Sequence, residues 1–201
     1  MIEVEYKGRL TPEMLNTVHY KLQTSSAPKT IQNTDIYYDT ANWDLLRQAV
    51  FVRIRNQHVL EFKFNEHKDR SHIQSTEHTF FLADMNASWN NLFTSFLPDW
   101  QPASTIEEAI ARNALSPLAT IRNTRQIYTY QAMKISIDHV EELGDFLEIE
   151  IQCESTAELP LAHQRISSFL EDLPFQRLKV GYVELWLQKF NHKAYEVGHY
   201  Q

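Results

Sequence analysis

Residues 1–7 read Met1-Ile2-Glu3-Val4-Glu5-Tyr6-Lys7. In a β-strand, side chains two apart share a face. Glu3, Glu5 and Lys7 therefore point one way, while Ile2, Val4 and Tyr6 point the other. Carboxylates take a hard divalent cation, and an ammonium takes a phosphate oxygen. The face thus suits a site that holds a metal beside an anion. A solvated strand face would carry the same residues, so the reading depends on whether later strands repeat it.

Later strands do repeat it. Arg53 and Arg55 alternate with Val52 and Ile54, and Glu61 and Lys63 alternate with Leu60, Phe62 and Phe64. Lys134, Ser136 and Asp138 alternate with Ile135 and Ile137, and Glu148 and Glu150 with Leu147, Ile149 and Ile151. One wet face is ordinary in an antiparallel sheet. A recurring face of Arg, Lys, Glu and Asp, paired at i and i+2, is not. If such a sheet curls into a barrel with these faces inward, its interior holds charges of both signs, and its apolar faces pack on external helices. Buried charges cost roughly several kcal/mol each unless paired or ligated. A polyphosphate with a divalent metal meets that need, because the cations hold phosphate oxygens and the carboxylates hold the metal. Mg²⁺ suits carboxylates plus substrate phosphates.

Between these strands the pattern is helical. Thr11-Pro12 gives an N-cap and a proline at the first helical position, and Met14, Leu15, Val18 and Leu22 complete an apolar stripe over 11–24. Helices are also expected over 86–97, 105–115, 161–173 and 180–190. Residues 25–32 read as a loop, 35–39 as a strand, and 118–123 and 125–132 as two separate strands. The reading is α+β, with many antiparallel strands and helices packed outside. One domain over 1–190 is expected, with 191–201 a tail of unassigned structure. Its Tyr195 and Tyr200 would cap one end of the barrel.

Composition narrows the function. The chain has 201 residues and a net charge of −7, which disfavours nucleic acid as a partner. No apolar run is long enough to span a membrane, and the N-terminus has no signal-peptide pattern. The single cysteine, Cys153, cannot form an internal disulfide, and a cytoplasmic setting is expected. Only 4 glycines are present, and neither glycine-rich phosphate-binding loop occurs. The nine histidines show no zinc-binding spacing.

Several blocks, in order along the chain, resemble the CYTH domain, or triphosphate tunnel metalloenzyme, family. Glu3-x-Glu5-x-Lys7 matches its ExExK signature. Tyr38-Asp39-Thr40, Leu45-Leu46 and Val52-Arg53-Ile54-Arg55 resemble its second block, and Phe62-Lys63 the strand that follows. Asp138-x-Val140, Leu143-Gly144 and Phe146-x-Glu148-x-Glu150 resemble its carboxylate block, and Lys179-Val180-Gly181-Tyr182 its last. The resemblance implies a closed eight-stranded antiparallel β-barrel, a tunnel open at both ends. Glu3, Glu5, Asp138, Glu148 and Glu150 would then serve a Mg²⁺ or Mn²⁺ ion. Lys7, Arg53, Arg55, Lys63, Arg125 and Lys179 would bind a triphosphate. A further basic residue usually precedes Arg125 by two or three positions. Spacing two gives Asn123, and spacing three gives Arg122, which is favoured if a small bulge is present. Ser75 stands where the family often has arginine, and Gly181 replaces the usual serine.

The activity so implied is metal-dependent hydrolysis of inorganic triphosphate, thiamine triphosphate or a nucleoside triphosphate. Lys63 is a candidate to assist the attacking water. A class IV adenylate cyclase is the alternative, and a non-catalytic polyphosphate or nucleotide binder is a third reading. A monomer or homodimer is expected, with a small-molecule triphosphate as ligand. Glu148→Ala is expected to abolish metal-dependent turnover and leave the fold intact.

Overall fold

The strongly alternating segments become strands and the 3.6-residue stripes become helices. The computed structural model describes residues 2–25, 27–64, 76–84 and 87–198. The strands are β1 (Ile2–Arg9), β2 (Lys29–Asp39), β3 (Phe51–Arg55), β4 (Val59–Phe64), β5 (Thr76–Phe81), β6 (Ser116–Tyr130), β7 (Met133–Val140) and β8 (Gly144–Cys153). They form an antiparallel sheet in the order β1-β8-β7-β6-β2-β3-β4-β5, whose two ends are β1 and β5. The helices are α1 (Pro12–Lys21), α2 (Trp89–Phe96), α3 (Ile106–Arg112), α4 (Leu159–Leu170), α5 (Tyr182–Phe190) and α6 (His192–Gly198). Among the described residues, no helix is long and apolar enough to cross a membrane.

Three expectations change here. Residues 29–32 extend β2 rather than form a loop, and the two strands expected around 118–132 are one 15-residue strand, β6. The tail holds a helix, α6, with Ala194 buried, while Tyr200 lies outside the described residues. The β3–β4 turn has Asn56 and Gln57 at φ 50° and 60°, and the β6–β7 turn has Gln131 and Ala132 at φ 47° and 62°. Two successive left-handed residues make the type I′ turn, which matches strand twist, here without the usual glycine.

The chain divides into two compact units, one of residues 1–33 and 122–179, the other of 34–121 and 180–201. In the first, the apolar faces of β1, β7 and β8 pack with α1 and α4. Val4, Ile135, Ile149, Val18 and Ile166 are at its centre. In the second, β3 and β4 pack with α2 and α3 around Leu60, Phe62, Phe93 and Trp100. Phe93 and Trp100 stack with centroids 4.0 Å apart. Each core thus takes one face of its strands, and the charged residues lie on the other.

A short stretch after α4 lies along β1. Gly8 bridges antiparallel to Arg177, and the Leu178 N–H donates to the Lys7 carbonyl at 2.7 Å. A Cβ on Gly8 would lie 2.5 Å from the Phe175 ring and 2.7 Å from the Gln176 carbonyl oxygen. Only glycine admits this approach, and the approach sets the path of the chain into Lys179.

Candidate functional site

In the first unit, cross-strand register gathers the charges. Glu5 lies opposite Glu150 and Lys7 opposite Glu148 on β1 and β8. Lys134 lies opposite Glu150 and Ser136 opposite Glu148 on β7 and β8, and Arg125 faces Asp138 on β6 and β7. The Lys7 ammonium is 2.9 Å from both Glu5 and Glu148. Arg125 grips Asp138 with two bonds of 2.7 and 2.6 Å and reaches Glu148 at 3.2 Å. Lys134 donates to Glu150 at 2.7 Å.

Glu148 and Glu150 stand two residues apart on one buried face of β8, and each carboxyl acts on the other. Two acids this close do not ionise alike, and their environments set them apart. Burial works against the charged form of Glu148, but Lys7 and Arg125 outweigh it and hold this carboxyl far below the usual range. Burial, then the neighbouring Glu148 carboxyl, pushes Glu150 up to about 7, against the pull of Lys134. Lys7 is raised because Glu148 and Glu5 overcome its burial.

A divalent cation fits this donor set in its chemistry. Two adjacent buried carboxylates could both ionise against a metal, and Glu5 stands directly opposite one of them. Among the described residues, however, no three His, Cys, Asp or Glu side chains form a ready ligand group. The acids are turned instead to Lys7, Arg125 and Lys134. Glu3, expected as a ligand, is exposed and accepts from Gln152. Asp138 is fully buried, and its oxygens are taken by Arg125 and, at 3.3 Å, by Asn123. Both of its oxygens accept from Arg125.

The second unit holds the arginines. Asp35 on β2 accepts from Arg55 at 2.7 and 2.9 Å and from Arg53 at 3.0 Å. Arg53 also donates to Glu61 at 2.8 Å and to the Tyr37 hydroxyl at 3.2 Å. Burial, chiefly, raises the Tyr37 phenol. Lys63 pairs with Glu77 at 2.9 Å across β4 and β5. Ser75, which stands in place of a family arginine, lies outside the described residues.

Asp35 and Tyr37 are the residues that sequence reasoning missed. The signal was present in the period-two run Asp35-x-Tyr37-x-Asp39. The third member does a different job. Asp39 accepts from the N–H groups of Thr40, Leu45 and Leu46 at 2.7, 3.0 and 3.0 Å and so shapes the turn after β2.

Arg122 is corrected. The β6–β7 register runs without a bulge from Asn123 to Tyr130, so Asn123, not Arg122, shares the face of Arg125. Arg122 is exposed on the opposite face, 3.6 Å from Glu141. Lys179 is exposed just after the stretch held against β1.

The sequence profile of the CYTH domain matches residues 1–179. No curated protein sequence matches the chain. Among solved structures, the PH1819 protein of Pyrococcus horikoshii is similar at 24% identity and TM-score 0.64, over 93% of this chain and 99% of its own. HpAC1 of Hippeastrum, carried under an adenylyl cyclase name and described with a dominant triphosphatase activity, is 18% identical. Its TM-score is 0.65, over 94% of this chain and 96% of its own. A Vibrio parahaemolyticus protein carried under an adenylate cyclase name is 15% identical with TM-score 0.56, over 92% and 98%.

Proposed function

The chain belongs to the CYTH domain family, and from that premise we propose that it hydrolyses a triphosphate with a divalent metal, Mg²⁺ or Mn²⁺. The observation that carries this reading is the buried pair Glu148 and Glu150 on one face of β8, set beside Lys7 and Arg125. Like charges buried side by side repel each other. A site that binds a divalent cation needs them there. We assign Glu5, Glu148 and Glu150 to the metal, with Glu3 at its edge, and Asp138 to holding Arg125.

Lys7, Arg125, Arg53, Arg55, Lys63 and Lys179 are assigned to phosphate oxygens. Arginine suits this because its planar fork binds phosphate by two parallel bonds. The metal, when bound, neutralises charge on the phosphate oxygens. The guanidinium and ammonium donors stabilise the charge that builds on those oxygens as water attacks the terminal phosphorus in line. Lys63 is half-exposed and ion-paired with Glu77. We assign it to orienting the attacking water and the terminal phosphate by donation. Closure of the strands into a tunnel around the substrate belongs to the same proposal.

The test is product analysis. Purified protein is incubated with inorganic triphosphate, thiamine triphosphate or ATP and either metal. Orthophosphate plus the shortened phosphate is the expected outcome. Cyclic AMP and pyrophosphate from ATP would replace the hydrolase by a cyclase. Binding of triphosphate with no product would leave a non-catalytic binder.

A further inference from the structure

Two carboxylates meet the arginine pair, and they differ in how firmly they are held. Asp35 is nearly buried, with three N–H bonds spread over both of its oxygens. It is fixed as part of the frame. Glu61 uses one oxygen only. Its Oε2 is 2.8 Å from Arg53 Nε and 3.7 Å from Arg55 Nη1, and its other oxygen makes no hydrogen bond among the described residues. Its side chain is partly open to solvent and long enough to swing aside. An oxygen bearing negative charge between two guanidinium groups stands where a phosphate oxygen would be bound.

The charge balance points the same way. Among the described residues, Asp35, Glu61 and Glu77 pair with Arg53, Arg55 and Lys63, and the buried Glu184 acts on Tyr37 beside them, so the bases are not in surplus. A cluster that recognised its anion by surplus positive charge would not carry that balance. Glu61 is the member whose removal frees positive charge without loosening the frame, because Asp35 alone already bridges both arginines.

We propose that Glu61 is a specificity-determining residue, an internal competitor that occupies the anion position between Arg53 and Arg55 and is displaced by substrate. The proposal rests on the triphosphate reading of this cluster and adds a selection rule to it. Anions with few oxygens, such as orthophosphate or sulfate, cannot repay the displacement. A triphosphate with its metal can, because the metal supplies the positive charge that the balanced cluster lacks.

The experiment is calorimetric binding of inorganic triphosphate to the full chain in EDTA, for wild type, Glu61→Gln and Arg53→Gln. The expected result is roughly threefold to tenfold tighter binding by Glu61→Gln, since one opposing charge is gone, and roughly tenfold weaker binding by Arg53→Gln. The gain from Glu61→Gln should shrink when Mg²⁺ accompanies the triphosphate. Unchanged or weaker binding by Glu61→Gln, with Arg53→Gln weakened, would overturn the proposal and make Glu61 a strut for Arg53. Identical behaviour of all three proteins would instead remove the triphosphate reading of the cluster itself. Circular dichroism monitors folding. Should Glu61→Gln unfold, Glu61→Thr, which a strand accepts readily, is judged by the same outcomes.

Discussion

The two charged clusters use the same side chains in different proportions. In the first unit, Glu5, Asp138, Glu148 and Glu150 pair with Lys7, Arg125 and Lys134, and this crowding of acids pushes Glu150 up to about 7. In the second, among the described residues, each base has an acid partner, and the acids act as holders and an occupant of the arginine forks. Excess carboxylate creates an appetite for cations, whether proton or metal. A matched arginine cluster can discriminate among anions without collecting them indiscriminately. If the clusters do these separate jobs, mutations in them should fail in separate ways.

Glu148→Gln should have the largest effect. It removes a proposed metal ligand and the counter-charge of two buried cations at once. Turnover should fall at least about 100-fold, and stability in urea should fall by about 3 kcal/mol, because Lys7 and Arg125 lose a buried partner. This amends the simpler expectation that replacing Glu148 leaves the fold untouched. Full activity in a folded Glu148→Gln protein would break the metal half of the comparison.

Arg55→Lys probes the other cluster more gently. The positive charge stays, but the two bonds to Asp35, at 2.7 and 2.9 Å, cannot both be kept by an ammonium. KM for triphosphate should rise about tenfold with kcat changed far less, since hydrogen bonds to charged groups are worth about 1.5–3 kcal/mol. A fall in kcat with KM unchanged would mean that Arg55 acts in the transition state, and the proposed division of labour would blur.

Most of the charged faces were legible in the sequence because strand geometry has period two, so Glu3-x-Glu5-x-Lys7 and Glu148-x-Glu150 each declare a face without knowledge of partners. Partnerships were not legible. Asp35 looked like one polar residue in a tyrosine-rich strand until the β2–β3 register set it opposite Arg55. Nothing in the sequence showed that Asp138 would also lie opposite Arg125 and hold it. The β6–β7 register decided between Asn123 and Arg122. It is set by the two-residue turn at Gln131 and Ala132, eight residues away, whose left-handed backbone no glycine announced. The helix α6 was hidden by its length, since seven residues of mixed polarity carry too little periodicity to stand out.

A last prediction tests whether Glu150 keeps its proton. In the folded chain Glu150 holds its proton up to about 7, against an ordinary value of 4.5. The native state therefore binds more protons than the unfolded state across that window, and this group's contribution to stability is present below 4.5 and lost as pH rises through 7. Glu148 has the opposite sign, with stability present above the ordinary range and lost on acidification, so wild type alone would show a mixture. Comparison with Glu150→Gln isolates the raised group, because the amide keeps a donor for Glu148 at every pH. In EDTA, the urea stability of Glu150→Gln relative to wild type should rise between pH 5 and 8 by on the order of 1–3 kcal/mol. Parallel pH profiles would mean that Glu150 is ionised throughout, and the excess acid of this cluster would then have to be balanced by Lys134 alone.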